Sequence, residues 1–124
     1  MILVDTSVWV DHLHAAEPAL LALLEDDAVA CHPLVIQELA LGSLRERETV
    51  LRLLSNLRAL PVLSHGELLA LVDGRRLWGR GLSSVDAHLV GSVLLTEGAQ
   101  LWTRDKRLRA ACQEVGISAF DGQR

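Results

Sequence analysis

Four carboxylates, Asp5, Glu38, Asp86 and Asp105, stand where an acid is conspicuous. Met1-Ile2-Leu3-Val4 is a short apolar run that stops on Asp5, as a fully buried strand of a parallel sheet does. In open α/β sheets, chemistry sits at the carboxyl ends of such strands. Asp105 comes just past a second run of this kind, Ala99 to Thr103. Glu38 and Asp86 are expected in the first turns of helices that leave the same sheet edge, where free N–H groups and the helix dipole favour an acid. An ionised carboxylate at the edge of a core costs several kcal/mol unless something compensates it. Four gathered without a cation would repel one another and hold some in the protonated form. Hard divalent ions remove that conflict, and Mg²⁺ or Mn²⁺ suits ligands that are carboxylates and waters. Two such ions about 4 Å apart, bridged by one acid, activate a water and stabilise a leaving oxygen, which is the chemistry of phosphodiester cleavage.

Each acid also has a purely structural use. Asp5 can cap the helix that begins near Thr6, and Asp105 can cap the one that follows Thr103. Ser83-Ser84-Val85-Asp86 fits a capping box with Asp in the usual Glu position, and Glu38 can be an exposed residue of an amphipathic helix. The five histidines show no H-x-x-x-H spacing, which argues against zinc, and His88 is expected to be structural. Cys31 and Cys112 are too isolated for a C-x-x-C motif and are expected to be small buried hydrophobes.

The elements that must position these acids follow from the hydrophobic pattern. Strands are expected near 1–4, 28–31, 59–63, 99–103 and 117–120, with Pro61 marking an edge position. Helices are expected over about 7–15, 17–26, 32–41, 46–57, 65–78, 83–97 and 105–115. Gly42, Gly98 and Gly116 act as stops, and Gly79 to Gly81 is the least structured stretch. Strands alternating with helices describe an α/β fold: a central, mostly parallel sheet of about five strands flanked by helices.

With 124 residues the chain is read as one domain, 1–124. Its longest apolar stretch is far short of the ~18 to 20 residues that span a bilayer, and no basic segment precedes an apolar one at the start. A cytoplasmic protein without a membrane partner is expected. The formal charge of −4 argues superficially against nucleic acid. If four of the 16 acids occupy one metal site, the remaining 12 balance the 12 Lys and Arg, and basic clusters remain. One holds Arg75, Arg76 and Arg80, the other Arg104, Lys106, Arg107 and Arg109. A solvated helix face is the commoner meaning of such runs.

Four blocks carry a resemblance: Met-Ile-Leu-Val-Asp-Thr-Ser-Val-Trp at 1–9, Pro-Leu-Val-Ile-Gln-Glu-Leu-Ala-Leu-Gly at 33–42, Leu-Ser-Ser-Val-Asp-Ala-His-Leu-Val at 82–90, and Ala-Gln-Leu-Trp-Thr-Arg-Asp-Lys-Arg-Leu at 99–108. In this order they resemble the signature blocks of the PIN-domain ribonucleases, specifically the VapC toxins of type II toxin–antitoxin pairs. The resemblance implies a PIN fold, Mg²⁺- or Mn²⁺-dependent endoribonuclease activity on an RNA substrate, and inhibition by a VapB-type antitoxin. It implies Asp5 and Asp86 as principal metal ligands, with Asp105 and Glu38 completing a catalytic quartet. Thr6 and Thr103 match supporting polar positions. Glu38 is expected to orient or deprotonate an attacking water, and Arg75, Arg76, Arg80 and Arg104 are candidate RNA contacts. A homodimer is the expected assembly, its surface or the antitoxin's lying on the helix pair at 33–57 and on Trp9 and Trp78. Ala87-His88-Leu89 departs from the small or aliphatic residues usual there. A phosphatase of the haloacid-dehalogenase type would want an acid two residues after Asp5, where Ser7 stands. A receiver domain would want adjacent acids there, and position 6 is Thr. The remaining alternative is a non-catalytic PIN-fold module that binds RNA or protein.

Overall fold

The structure, a computed structural model, describes residues 1–122. Its elements in order are β1 (Ile2–Val4), α1 (Thr6–His14), α2 (Pro18–Glu25), β2 (Val29–Cys31), α3 (Pro33–Ala40), α4 (Arg47–Ser55), β3 (Arg58–Ala59), α5 (His65–Arg75), α6 (Ser84–Leu94), β4 (Gln100–Trp102) and α7 (Lys106–Val115). Four strands form one sheet in the order β3-β2-β1-β4, and every neighbouring pair is parallel. All strand carboxyl ends therefore lie on one edge. The central strand β1 is buried along its whole length, as are Val29 to Cys31 of β2, which requires helices over both faces of the sheet. Leu20, Leu23, Val35, Leu89, Val90 and Leu108 supply the helical side of that core.

Two expected strands are shorter than the sequence pattern suggests. The segment 59–63 pairs only over Arg58–Ala59, at the sheet edge. Beyond it Pro61 lacks an N–H for the ladder. Leu60 and Leu63 are buried, the Pro61 carbonyl accepts from Ser92 Oγ at 2.6 Å, and Leu63 packs against Gly91 of α6. The segment 117–120 touches β4 through a single parallel bridge, Leu101 to Ala119. Phe120 anchors it, edge-on to Trp102 with ring centroids 5.0 Å apart. The sheet thus has four strands with a fifth segment bridged to its edge, instead of five. Helix α5 stops at Arg75, short of the expected 78, because Arg76 turns left-handed (φ 54°) and the Leu77 N–H returns to the Val72 carbonyl.

Candidate active site

Asp5, His32 and Thr103 each follow directly the last residue of a strand, β1, β2 and β4 respectively, so they share the carboxyl edge. The Asp5 N–H is tied to the Trp102 carbonyl at 2.9 Å, which continues the β1–β4 ladder one step further. Asp5 is only 6% exposed, yet its carboxylate accepts from three donors. Its Oδ1 accepts from the Thr6 N–H at 2.8 Å; its Oδ2 accepts from the Thr103 hydroxyl at 2.7 Å and the Ser7 hydroxyl at 3.2 Å. The direction of both hydroxyls is forced. Thr103 Oγ1 accepts the Asp105 N–H at 3.0 Å and Ser7 Oγ accepts the Arg104 N–H at 3.2 Å, so each spends its one proton on Asp5. Three donors fix the rotamer of this carboxylate.

Asp86 lies in the first turn of α6 inside a complete capping box: it accepts from the Ser83 N–H at 3.0 Å while the Ser83 hydroxyl accepts from the Asp86 N–H at 3.1 Å. Asp105 caps α7, accepting from the N–H groups of Arg107 at 2.8 Å and Leu108 at 3.1 Å. The capping roles expected from the sequence for Asp5, Asp86 and Asp105 are therefore all real. Burial pushes the Asp86 carboxyl above its ordinary range, and the negative charges of Asp5 and Asp105 push it the same way, against the hydrogen bonds from Ser83. Cys112 on α7 senses the same field. Its fully buried thiol is pushed up to about 11, mainly by burial and further by the charges of Asp5 and Asp86.

Glu38 departs from expectation in one respect. It is not in the first turn of α3 but beyond it, three residues before Leu41, and it is exposed. No helix N–H reaches it; instead Thr6 Oγ1 donates to Glu38 Oε1 at 2.6 Å. Thr6 thus serves two acids, Asp5 through its backbone and Glu38 through its hydroxyl. Ser7, at a neighbouring position, takes the supporting hydroxyl role at Asp5. Sequence reasoning passed over Ser7 because its second partner, Arg104, is 97 residues away. His32 was passed over as well. It is wholly buried, its Nδ1 accepts the Leu34 N–H at 3.0 Å, and its ring lies 5.8 Å from that of His88.

The candidate arginines do not gather around the acids. Arg75 donates to the Val115 carbonyl at 3.4 Å, and Arg80 pairs with Glu114 while its Nε donates to the Arg76 carbonyl at 3.0 Å. The Val115 and Glu114 contacts lie at the carboxyl end of α7, roughly 14 Å along the helix from Asp105 at about 1.5 Å per residue. Arg76 forms the left-handed end of α5. Arg104 is nearer, but its guanidinium pairs with Asp11 and, at 2.7 Å, with Glu17.

The donor set is all oxygen and carries a surplus of negative charge, felt at Asp86, which fits a hard divalent cation. Among the described residues no three His, Cys, Asp or Glu side chains are grouped closely enough to hold one ion directly. Beside Glu38 opens a groove of about 410 Å³ lined by Val10, Leu13 and His14 of α1 and by Leu39 and the 42–45 turn.

Comparison with known proteins agrees with this geometry. Residues 2–114 match the model of the PIN domain. The chain is 64% identical over 118 residues to Ribonuclease VapC32 of Mycobacterium tuberculosis, in both strain CDC 1551 / Oshkosh and strain H37Rv, covering 95% of each chain. The fold is shared with the crystal structure of FitAcB from Neisseria gonorrhoeae at a TM-score of 0.66, with 20% identity over 98% of both chains. PAE2754 from Pyrobaculum aerophilum shares it at a TM-score of 0.60, with 23% identity over 89% of this chain and 83% of that one. With a parallel α/β sheet, acids at its carboxyl edge and this degree of likeness to VapC32, the chain belongs to the PIN domain family, on its VapC branch.

Proposed function

We propose that this chain is a Mg²⁺- or Mn²⁺-dependent endoribonuclease, the toxin half of a VapBC-like pair, forming one PIN domain over 1–124 and acting in the cytoplasm. The observation that carries the reading is Asp5, held by three donors at the end of the central strand, with Asp86 near enough to feel its charge and that of Asp105. The 64% identity to a ribonuclease supports the same substrate class. Asp5 and Asp86, with Asp105, hold the metal, directly or through waters. When bound, the ion neutralises the carboxylates and polarises water and phosphate oxygen.

The chain's own residues do the rest. Asp5 is presented in one rotamer by Thr103 and Ser7. Glu38, steadied by the Thr6 hydroxyl and open to solvent, orients the attacking water and takes its proton. Thr103 links Asp5 to the Asp105 backbone, so that these two acids move as one unit. Binding of a VapB-type antitoxin follows from the same surface. A Lys or Arg entering among the carboxylates forms charge-assisted hydrogen bonds in place of the ion. The groove beside Glu38, with the exposed Val10 and Leu13, receives the partner's apolar side chains. A homodimer completes the proposed assembly.

The test is incubation of the antitoxin-free chain with a panel of RNAs in Mn²⁺ or Mg²⁺, against EDTA and against Asp86→Asn. Metal-dependent scission, reduced at least 100-fold in the variant, is the expected result. Intact RNA in every lane, together with measurable RNA or protein binding, favours the non-catalytic module.

A further inference from the structure

Arg75, Arg80 and Arg104 have side-chain partners, which directs attention to cations that do not. Lys106 and Arg107 are the first two residues of α7, directly after its capping acid Asp105. A cation in the first turn of a helix opposes the macrodipole, an unfavourable placement. Among the described residues neither side chain has an ion pair or hydrogen bond to compensate. The Arg107 side chain is nevertheless held in a defined place. It lies over Gly81, so closely that a Cβ on Gly81 would stand 2.7 Å from Nη1, 3.0 Å from Cδ and 3.2 Å from Cζ of Arg107. Gly81 has φ +76°, a conformation that glycine adopts without strain. The loop therefore presents a bare backbone shelf against which the Arg107 side chain packs, two residues before Ser83 and the Asp86 capping box.

Arg107 is thus attached to the helix that Asp105 caps and rests on the approach to the helix that carries Asp86. We propose that Arg107 on its Gly81 shelf is an RNA-phosphate contact: it takes a phosphate adjacent to the one at the acidic site and sets the register of the strand against it. This rests on the ribonuclease reading above and adds a substrate-binding residue to it. The chemistry is that of a planar fork with donors suited to two oxygens of one phosphate. A shelf that fixes the fork in advance lowers the ordering cost of binding. An exposed lysine at the same place would supply charge without that geometry.

The experiment uses a fluorescent single-stranded oligoribonucleotide and the full chain in the Asp86→Asn background with Mg²⁺, measuring affinity by anisotropy across a salt series. Arg107→Gln is expected to weaken binding on the order of fivefold to tenfold and to lower the salt slope by about 0.7, the value for one single-strand phosphate. Arg107→Lys is expected to keep the slope and lose part of the affinity. In the active background, Arg107→Gln should raise KM more than it lowers kcat, with Mn²⁺ affinity unchanged. An affinity and slope unaltered by Arg107→Gln would overturn the contact while leaving the ribonuclease reading intact. A parent chain that binds and cleaves no RNA would overturn both. A drop in Mn²⁺ affinity equal to the drop in RNA affinity would also overturn it, by assigning Arg107 to the metal site.

Discussion

Replacing Thr103 by Val keeps the shape of a side chain that is 1% exposed and removes a hydroxyl with two fixed partners. One is Asp5 Oδ2, the other the Asp105 N–H. A buried hydrogen bond to a charged group contributes about 1.5–3 kcal/mol, and the partners left behind are only partly rehydrated. Thr103→Val should therefore lower stability to urea by about 2 kcal/mol and weaken Mn²⁺ binding, both read by titration of the folded chain. A loss below about 0.5 kcal/mol would mean that Asp5 is held by other groups. Ser7→Ala should act in the same direction and more weakly, since its bond to Asp5 is longer at 3.2 Å. At this scale the sequence showed which residue types were present but not which hydroxyl serves which acid. Thr6 and Ser7 are neighbours with interchangeable chemistry, and the helix that starts at Thr6 sends one side chain to Glu38 and the other to Asp5.

Helix α3 carries Glu38 and begins at His32, whose Nδ1 accepts the Leu34 N–H. Only the neutral imidazole can do this, and burial, with the nearby His88, lowers the His32 pKa to about 4. The unfolded chain takes up that proton near the ordinary value of about 6.5. Between the two values it binds more protons than the native state, so stability is complete above the unfolded value and declines as pH falls towards 4. His32→Asn retains a good capping oxygen and removes the titration. The expected outcome is a flatter urea-stability profile between about pH 6.5 and 4, where the parent loses at most about 1.4 kcal/mol per pH unit. Equal slopes in the two proteins would show that His32 titrates alike in the native and unfolded chain. The elements themselves were largely legible, because buried parallel strands read as apolar runs and helices as 3.6-residue stripes. What was not legible is where a strand stops pairing. Leu60 to Leu63 and Ile117 to Phe120 are apolar because they pack, through Leu63 on Gly91 and Phe120 on Trp102, and not because they extend the ladder. Glu38 was misplaced within its helix for a related reason: the sequence marks Pro33 as the helix start but does not show which turn faces Thr6.

Across the whole molecule the charge is −4, and part of that surplus is concentrated where Asp86 feels Asp5 and Asp105. The Asp86 carboxyl is raised first by burial and then by those two charges, so the native state binds the extra proton. Stability from this group is present below the ordinary carboxylate value and is lost as pH rises through the raised one. At neutral pH the ion-free fold therefore carries an electrostatic penalty that a divalent cation relieves. A ligand that binds only the native chain adds about 2.7 kcal/mol at 100 times its Kd, which in a protein of this size raises Tm on the order of 10 °C. Asp86→Asn should reverse the ranking. Without a divalent ion the variant loses the repulsion while its side-chain oxygen still accepts from the Ser83 N–H, so it should melt above the parent. With saturating Mg²⁺ or Mn²⁺ it should melt below, having lost a ligand. Thermal unfolding of both proteins in EDTA and in Mg²⁺ supplies the four values. Crossing curves would mark Asp86 as a residue kept for the ion at the expense of the fold, as functional carboxylates commonly are. Parallel curves, with the variant lower in both conditions, would make its capping of α6 the larger contribution and leave the metal site to the other acids.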